Sequence, residues 1–298
     1  MIVTLVGTRH CEHADDRELE VTVATETLAE LIRFAPEVYG LRYGNYVSLF
    51  IVTAEGVVVF DPCGQAHPRM PYLLKEAIRC LTDLPVTHVV YSHSTADHST
   101  GGAVFGETAS FVGHRNAVAK IAAYGDASTP IPAQTFDQAI ALESGGRRID
   151  LYPADLWSDD DYIIVHDPQA RVAMFVDLVQ PHNVPFRRLL GHPDRIIERL
   201  QWLHDTLDFD LIVSGHGTPQ VSGSKEDVAA ARQYLIDLSS AIEAARRKGC
   251  ADASPEMTAT VEASLRPHYG PWRRFDDFLP LNIDGMIRWR AGEEFTHG

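Results

Sequence analysis

Between Tyr91 and Gly102 the chain reads Tyr-Ser-His-Ser-Thr-Ala-Asp-His-Ser-Thr-Gly-Gly. Two imidazoles and a carboxylate, His93, Asp97 and His98, fall within six positions, with small residues between them. Imidazole nitrogen and carboxylate oxygen are the donors that zinc and iron accept, and a loop of small residues lets them turn toward one point. The stretch follows an apolar run, so it sits at the carboxyl end of a strand, where ligands collect in α/β sheets. Two later residues share that placement. Asp177 closes the apolar run 172–176, and His216 lies in Ser-Gly-His-Gly just after residues 211–213. One metal-type residue past a buried strand can arise by chance; a set of them reads as a constellation.

The elements that must position these residues are legible from periodicity. Residues 46–52 and 57–60 read as strands around an Ala-Glu-Gly turn, and the second stops at Asp61-Pro62-Cys63-Gly64, where proline and glycine break the ladder. Leu73, Leu74, Ala77, Ile78 and Leu81 recur at helical spacing, which predicts a helix over 69–81. Strands are expected at 87–91 and 111–114, a helix at 116–124, then strands at 148–152, 162–165, 171–176 and 211–213. Pro193 opens a helix reaching about residue 207. Ser224 caps a long helix that runs to Lys248 and stops at Gly249, and Ser254-Pro255 opens another. This rhythm calls for sheets covered by helices. Residues 1–36, with Glu12, Asp15 and Asp16, read as a polar N-terminal arm contributing an edge strand or a lid. Residues 37–222 form the core of a single domain spanning 1–298. Residues 223–298 are a helical C-terminal extension whose last thirty or so residues are aromatic and irregular.

Composition excludes several classes. Of 298 residues, 45% are hydrophobic and 22% charged, which fits a globular fold rather than a disordered or coiled-coil chain. No apolar run approaches the ~20 residues of a membrane span. The net charge of −15 repels phosphate backbones, and the arginine pairs 147–148, 187–188, 246–247 and 273–274 are dispersed along the chain, so nucleic acid is not an expected partner. The expected partner is a small-molecule substrate. No basic residue precedes the apolar residues 2–5, and Cys11, Cys63, Cys80 and Cys250 lie far apart, so a reducing, cytoplasmic location is expected. Trp272, Phe275, Phe278 and Trp289 are expected in the core or at a homodimer contact.

The order of these elements resembles the metallo-β-lactamase superfamily. Its signature is a strand pair ending in Asp (here Asp61, with Gly64), then HxHxDH, then His, Asp and His at strand ends. The resemblance covers residues 45–217 and implies an α/β fold, a four-layer αβ/βα sandwich that usually holds two metal ions. Its departures are specific. Thr95 stands where the second histidine falls, and residues 152–161, where the next is expected, contain none. By this resemblance one half-site keeps only His93, while the other is complete in Asp97, His98 and His216, with Asp177 as the carboxylate that bridges metals in relatives. One divalent metal is therefore expected on Asp97, His98, Asp177 and His216. Zn²⁺ comes first, with Fe²⁺ or Mn²⁺ also suited to two carboxylates and two imidazoles. Asp155 or Asp159 is the substitute open for the missing histidine.

Such a metal lowers the pKa of bound water to roughly 7 and so supplies hydroxide to attack a carbonyl. Asp97 or Asp177 is expected to orient that water, and His93, released from ligation, to act as general acid. The expectation is a hydrolase of an ester, lactone, thioester or amide. The alternative is a non-hydrolytic enzyme (isomerase, lyase or redox) or a metal-poor binding protein on the same scaffold. Structural roles compete at each position: loop bridging for Asp97 and His98, a backbone hydrogen bond for His93, tying of the adjacent loop for Asp61, scaffold for His114 and surface for His166.

Overall fold

The computed structural model describes residues 2–5, 29–156, 160–217 and 220–293. Glu12, Asp15, Asp16, Cys11 and Asp159 lie outside the described residues. Eight strands form the first sheet in chain order: β1 (Ile2–Leu5), β2 (Ala29–Ala35), β3 (Val38–Tyr43), β4 (Tyr46–Val52), β5 (Val57–Phe60), β6 (Val86–Val90), β7 (Ser110–His114) and β8 (Gln134–Phe136). Neighbours are antiparallel up to β5 and parallel from β5 to β8. The second sheet has β9 (Ile140–Ser144), β10 (Arg147–Pro153), β11 (Ile163–Asp167), β12 (Val172–Met174), β13 (Leu211–Val213) and β14 (Ser222–Gly223). The segment read as an N-terminal arm thus contributes an edge strand, β1, and an interior one, β2.

Alternation of side chains builds the layers. In β4 and β5, Leu49, Ile51, Val58 and Phe60 point between the sheets and meet Ile163, Val165, Val172 and Met174 from the other side. Their neighbours Phe50, Val57 and Val59 point outward, against α1 (Met70–Leu81) and α3 (Ala117–Tyr124). A single turn of helix between them, α2 (Ala96–Ser99), belongs to the site described below. On the far side, Ile164, Ala173 and Ile212 pack under α4 (Pro193–Thr206), α5 (Lys225–Arg247), α6 (Pro255–Tyr269) and α7 (Phe275–Arg290). The order helix, sheet, sheet, helix is the four-layer sandwich expected from the sequence.

The C-terminal end differs from expectation. Residues 275–290 are helical, not irregular, despite Pro280 and Gly285 inside the helix. Phe275, Leu279, Ile283, Met286 and Trp289 recur every three or four residues and are buried against α5 and α6, so tertiary packing overrides the two unfavourable residues. Phe275 and Trp289 are buried in the chain's own core, and Trp272 and Phe278 pack against it half-buried. Two further corrections concern single residues. His166 is 5% exposed, with Nε2 3.0 Å from the Asp208 carbonyl, so it is not a surface residue. Cys80 is disulfide-bonded, which leaves only Cys63 and Cys250 as free thiols among the described residues and weakens the argument for a reducing compartment. No helix among the described residues is long and apolar enough to cross a membrane.

Asn282 of α7 ties the helix to the loop that leaves the site. Fully buried, it accepts a hydrogen bond from the Tyr234 hydroxyl (2.8 Å) and donates to the carbonyls of Pro185 (2.9 Å) and Arg187 (2.5 Å). Asn282→Ala leaves the buried Tyr234 hydroxyl and the carbonyls of Pro185 and Arg187 without these partners. We expect it to lower unfolding free energy by about 2–4 kcal/mol in urea denaturation; a loss under about 0.5 kcal/mol, the range of neutral surface changes, would contradict this role.

Candidate metal centre

The site lies where both sheets run out at one rim. β5 ends into Asp61, β6 ends into residues 91–95 and α2, the extended chain after β12 reaches Asp177, and β13 ends into residues 214–217. Backbone hydrogen bonds stitch the sheets together here: Val47 N–H to the Gly215 carbonyl (2.8 Å), Gly217 N–H to that of Asn45 (3.1 Å) and Ile163 N–H to that of Ser92 (2.9 Å). The loops are tightly crossed. A Cβ on Gly64 would sit 2.9 Å from the Gly101 backbone, and Gly101 itself has φ 90°, so both positions require glycine. Asp61, Cys63 and Asp177 adopt positive φ (52°, 55° and 68°), the kind of backbone strain that collects at functional sites.

Among the described residues, two groups of ligand atoms lie within 4.8 Å of one another: His93, His98 and Asp177, and Asp97, His98 and His216. The four residues expected to hold a metal are therefore together. His216 Nε2 is 2.8 Å from Asp177 Oδ1 and 2.9 Å from His98 Nε2, and His98 Nε2 is 3.7 Å from the same Oδ1. Asp97 stands at the mouth with its side chain 39% exposed, Oδ2 3.8 Å from His98 Nε2.

The outer nitrogens decide what the inner ones can do. His98 Nδ1 faces Asp61 Oδ2 at 3.4 Å, and His216 Nδ1 faces the Asn45 carbonyl at 3.3 Å. Asp61 can only accept and the Asn45 carbonyl accepts too, while the Asn45 amide Nδ2 stands 3.4 Å from the same His216 nitrogen; with the proton on Nδ1, each imidazole turns its Nε2 lone pair inward. In that tautomer two lone pairs and the Oδ1 of Asp177 converge, until an imidazole takes a second proton or a cation enters. Only a positive charge makes that arrangement favourable, and the donor set of two imidazoles and carboxylate suits a divalent transition metal. Electrostatics agree. Burial pushes His98 down, but Asp177, Asp61 and Cys63 outweigh it and hold its pKa well above the ordinary value. Burial pushes Asp177 up, yet the imidazoles of His216 and His98 hold it far below the carboxylate range.

His93 sits beneath this cluster, 1% exposed. Its Nδ1 lies 2.9 Å from the Ser92 hydroxyl, which donates to Asp61 Oδ2 (2.5 Å), and its Nε2 meets the Thr95 hydroxyl. Burial and the neighbouring His98 lower its pKa, so the ring is neutral. Asp61 also accepts the Ser92 N–H at 2.8 Å, tying the loop as its sequence position implied. Asp155 does not join the site; it lines a surface cleft with Arg195, Glu198, Arg199 and Trp202. His114 is buried and accepts a hydrogen bond from the Asn116 N–H (3.3 Å), a scaffold role.

Three site residues carry no motif. The Tyr46 hydroxyl donates to Asp97 Oδ2 at 3.1 Å, while its ring stands edge-on to His216 with centroids 4.4 Å apart. Burial and Asp97 push the Tyr46 phenol up to about 12, so it stays a donor. Burial likewise pushes the Cys63 thiol, 3.9 Å from His98 Nδ1, up to about 11 and keeps it protonated. Tyr162 is stacked on His93 and donates to Asp177 Oδ2 at 3.2 Å. Their only signal in the sequence is that Tyr46 and Tyr162 open apolar strands.

No family model matches the chain, and no curated protein matches it. Solved structures do. The stereoselective inverting sec-alkylsulfatase Pisa1 from Pseudomonas sp. superposes with a TM-score of 0.72 at 13% identity, over 89% of this chain and 50% of that one. A double mutant of the same sulfatase gives 0.69 at 11% identity with the same coverage, so this chain spans about half the length of both. A metallo-β-lactamase from Pontibacter korlensis gives 0.56 at 18% identity, over 72% of this chain and 97% of that one. With the paired sheets, the outer helices and the histidine-aspartate rim, these likenesses give the chain the fold of the metallo-β-lactamase superfamily.

Proposed function

We propose that the chain is a metal-dependent hydrolase acting on an ester, lactone, thioester or amide bond of a small molecule, with one divalent cation on His98, His216, Asp177 and Asp97. The observation that carries this reading is the convergence of His98 Nε2, His216 Nε2 and Asp177 Oδ1 on one point, each imidazole backed by an acceptor at Nδ1. The sulfatase and the lactamase among the fold neighbours support hydrolysis, and the sulfatase adds a sulfate ester to the bonds worth assaying. Zn²⁺ is the first choice, with Fe²⁺ and Mn²⁺ accepted by the same donors. The ion supplies Lewis acidity and an acidified water near neutral pH.

The chain's own residues do the rest. Asp97, the most exposed carboxylate of the cluster, takes the proton from the attacking water, and Tyr46 orients it through the 3.1 Å hydrogen bond. Asp177 and the two imidazoles fix the centre between the sheets. His93 is neutral and buried, with both nitrogens engaged by hydroxyls. We therefore assign it a packing role beside Asp177, whose Oδ2 lies 3.5 Å from its Nε2, in place of the proton-donor role. The acidic surface disfavours polyphosphorylated substrates. A non-hydrolytic or binding role is the second reading, favoured by Thr95 at the position of a ligand.

Metal analysis separates the two. We expect the dialysed protein to retain about one equivalent of divalent metal, and His216→Ala to lose it together with at least 100-fold of turnover on the responsive ester, the upper range for a disturbed metal site. Unchanged metal content and turnover in that variant would sink the hydrolase reading. The raised pKa of His98 adds a pH dependence. Without the cation its imidazole holds a second proton into the neutral range, and binding must expel it, so affinity falls as pH falls. In competition titrations with a chelator, the association constant for Zn²⁺ should drop by about tenfold per pH unit below the His98 pKa. A flat profile between pH 8 and 5 would contradict the ligand role of His98.

A further inference from the structure

The second sheet grips the loop of His93 residue by residue. Ile163 N–H donates to the Ser92 carbonyl at 2.9 Å. Tyr162 lays its ring on the His93 imidazole, centroids 4.0 Å apart and planes 11° from parallel. Asp161 Oδ2 accepts the Ser94 N–H at 2.7 Å, while its Oδ1 takes the Lys120 ammonium at 2.7 Å. Three consecutive residues of one sheet thus meet three of the other, running in opposite senses. The middle one also reaches the cluster: the hydroxyl of Tyr162, a residue only 2% exposed, donates to Asp177 Oδ2.

We propose that Tyr162 is a positioning residue of the centre, engaging one oxygen of Asp177 so that the other alone is offered to the cation, and pinning His93 alongside. The two oxygens are already divided. Oδ2 lies by the phenol and by His93 Nε2, whereas Oδ1 is the atom beside His216 and His98. Stacking on His93 fixes the direction of the phenol's hydroxyl. Partners of this kind orient metal ligands, and their removal typically costs 10–100-fold in metal affinity.

This rests on the cation reading above, and the test keeps the two apart. Full-length protein, freed of metal, is titrated with Co²⁺ alone, and affinity and visible absorption are read for wild type and Tyr162→Phe, which keeps the ring on His93 and removes only the hydroxyl. Expected are a tenfold or larger loss of affinity and a weaker, shifted absorption, as the released Oδ2 turns Asp177 into a two-oxygen ligand and raises the coordination number. The thermal midpoint of the metal-free protein should stay close to wild type. Tyr162→Leu, which also removes the stack, should lose more affinity than Tyr162→Phe. Wild-type affinity and spectrum in Tyr162→Phe overturn the positioning role while leaving the cation site standing. Failure of the wild-type protein to take up Co²⁺ overturns both.

Discussion

Acceptor atoms repel one another unless something positive lies between them. Here two imidazole lone pairs and a carboxylate oxygen are driven to one point by partners behind them: Asp61 behind His98, the Asn45 carbonyl behind His216, and Tyr162 on the far oxygen of Asp177. Left in a low-dielectric rim, such a cluster is costly. The rest of the molecule holds it in place regardless, through buried strands, two obligatory glycines and a run of residues in strained backbone. A scaffold that maintains such a cluster supports the cation site proposed above.

The sandwich explains how the four donors, distant in the sequence, come together. Each sits one residue or one short loop past the end of an element, and the elements end at the same rim because both sheets share one packed core. Asp97 and His98 come from the first sheet through a single turn of helix, and Asp177 and His216 from the second. The apolar alternation of β4, β5, β11 and β12 therefore does chemistry at a remove: a slip of one residue in any of them turns core side chains outward and breaks the rim.

Much of this was legible in the chain itself. The strands from β4 onward that hold the site, the capped helices, the clustering of Asp97, His98, Asp177 and His216 at one rim and the supporting role of Asp61 all announce themselves through period-2 runs, turn residues and metal-type side chains at strand ends. What was not legible has physical causes. Residues 275–290 carry proline, glycine and asparagine in a helix that only packing against α5 and α6 rescues. Tyr46, Tyr162 and Cys63 are ordinary strand or turn residues until the two sheets meet, since contact across a sandwich leaves no periodic trace. The engagement of both His93 ring nitrogens by the hydroxyls of Ser92 and Thr95 likewise leaves no trace in its neighbours' identities.

The seam between the sheets carries a last consequence. Because each sheet contributes half of the donors, an ion bound at the proposed site would act as a rivet across the interface, and its binding energy would be added to the cohesion of the entire sandwich. Without it, the rim would be held by backbone contacts between the sheets, among them the isolated bridge between Tyr46 and His216. Occupancy of the proposed site and cohesion of the two sheets would then be read at one place.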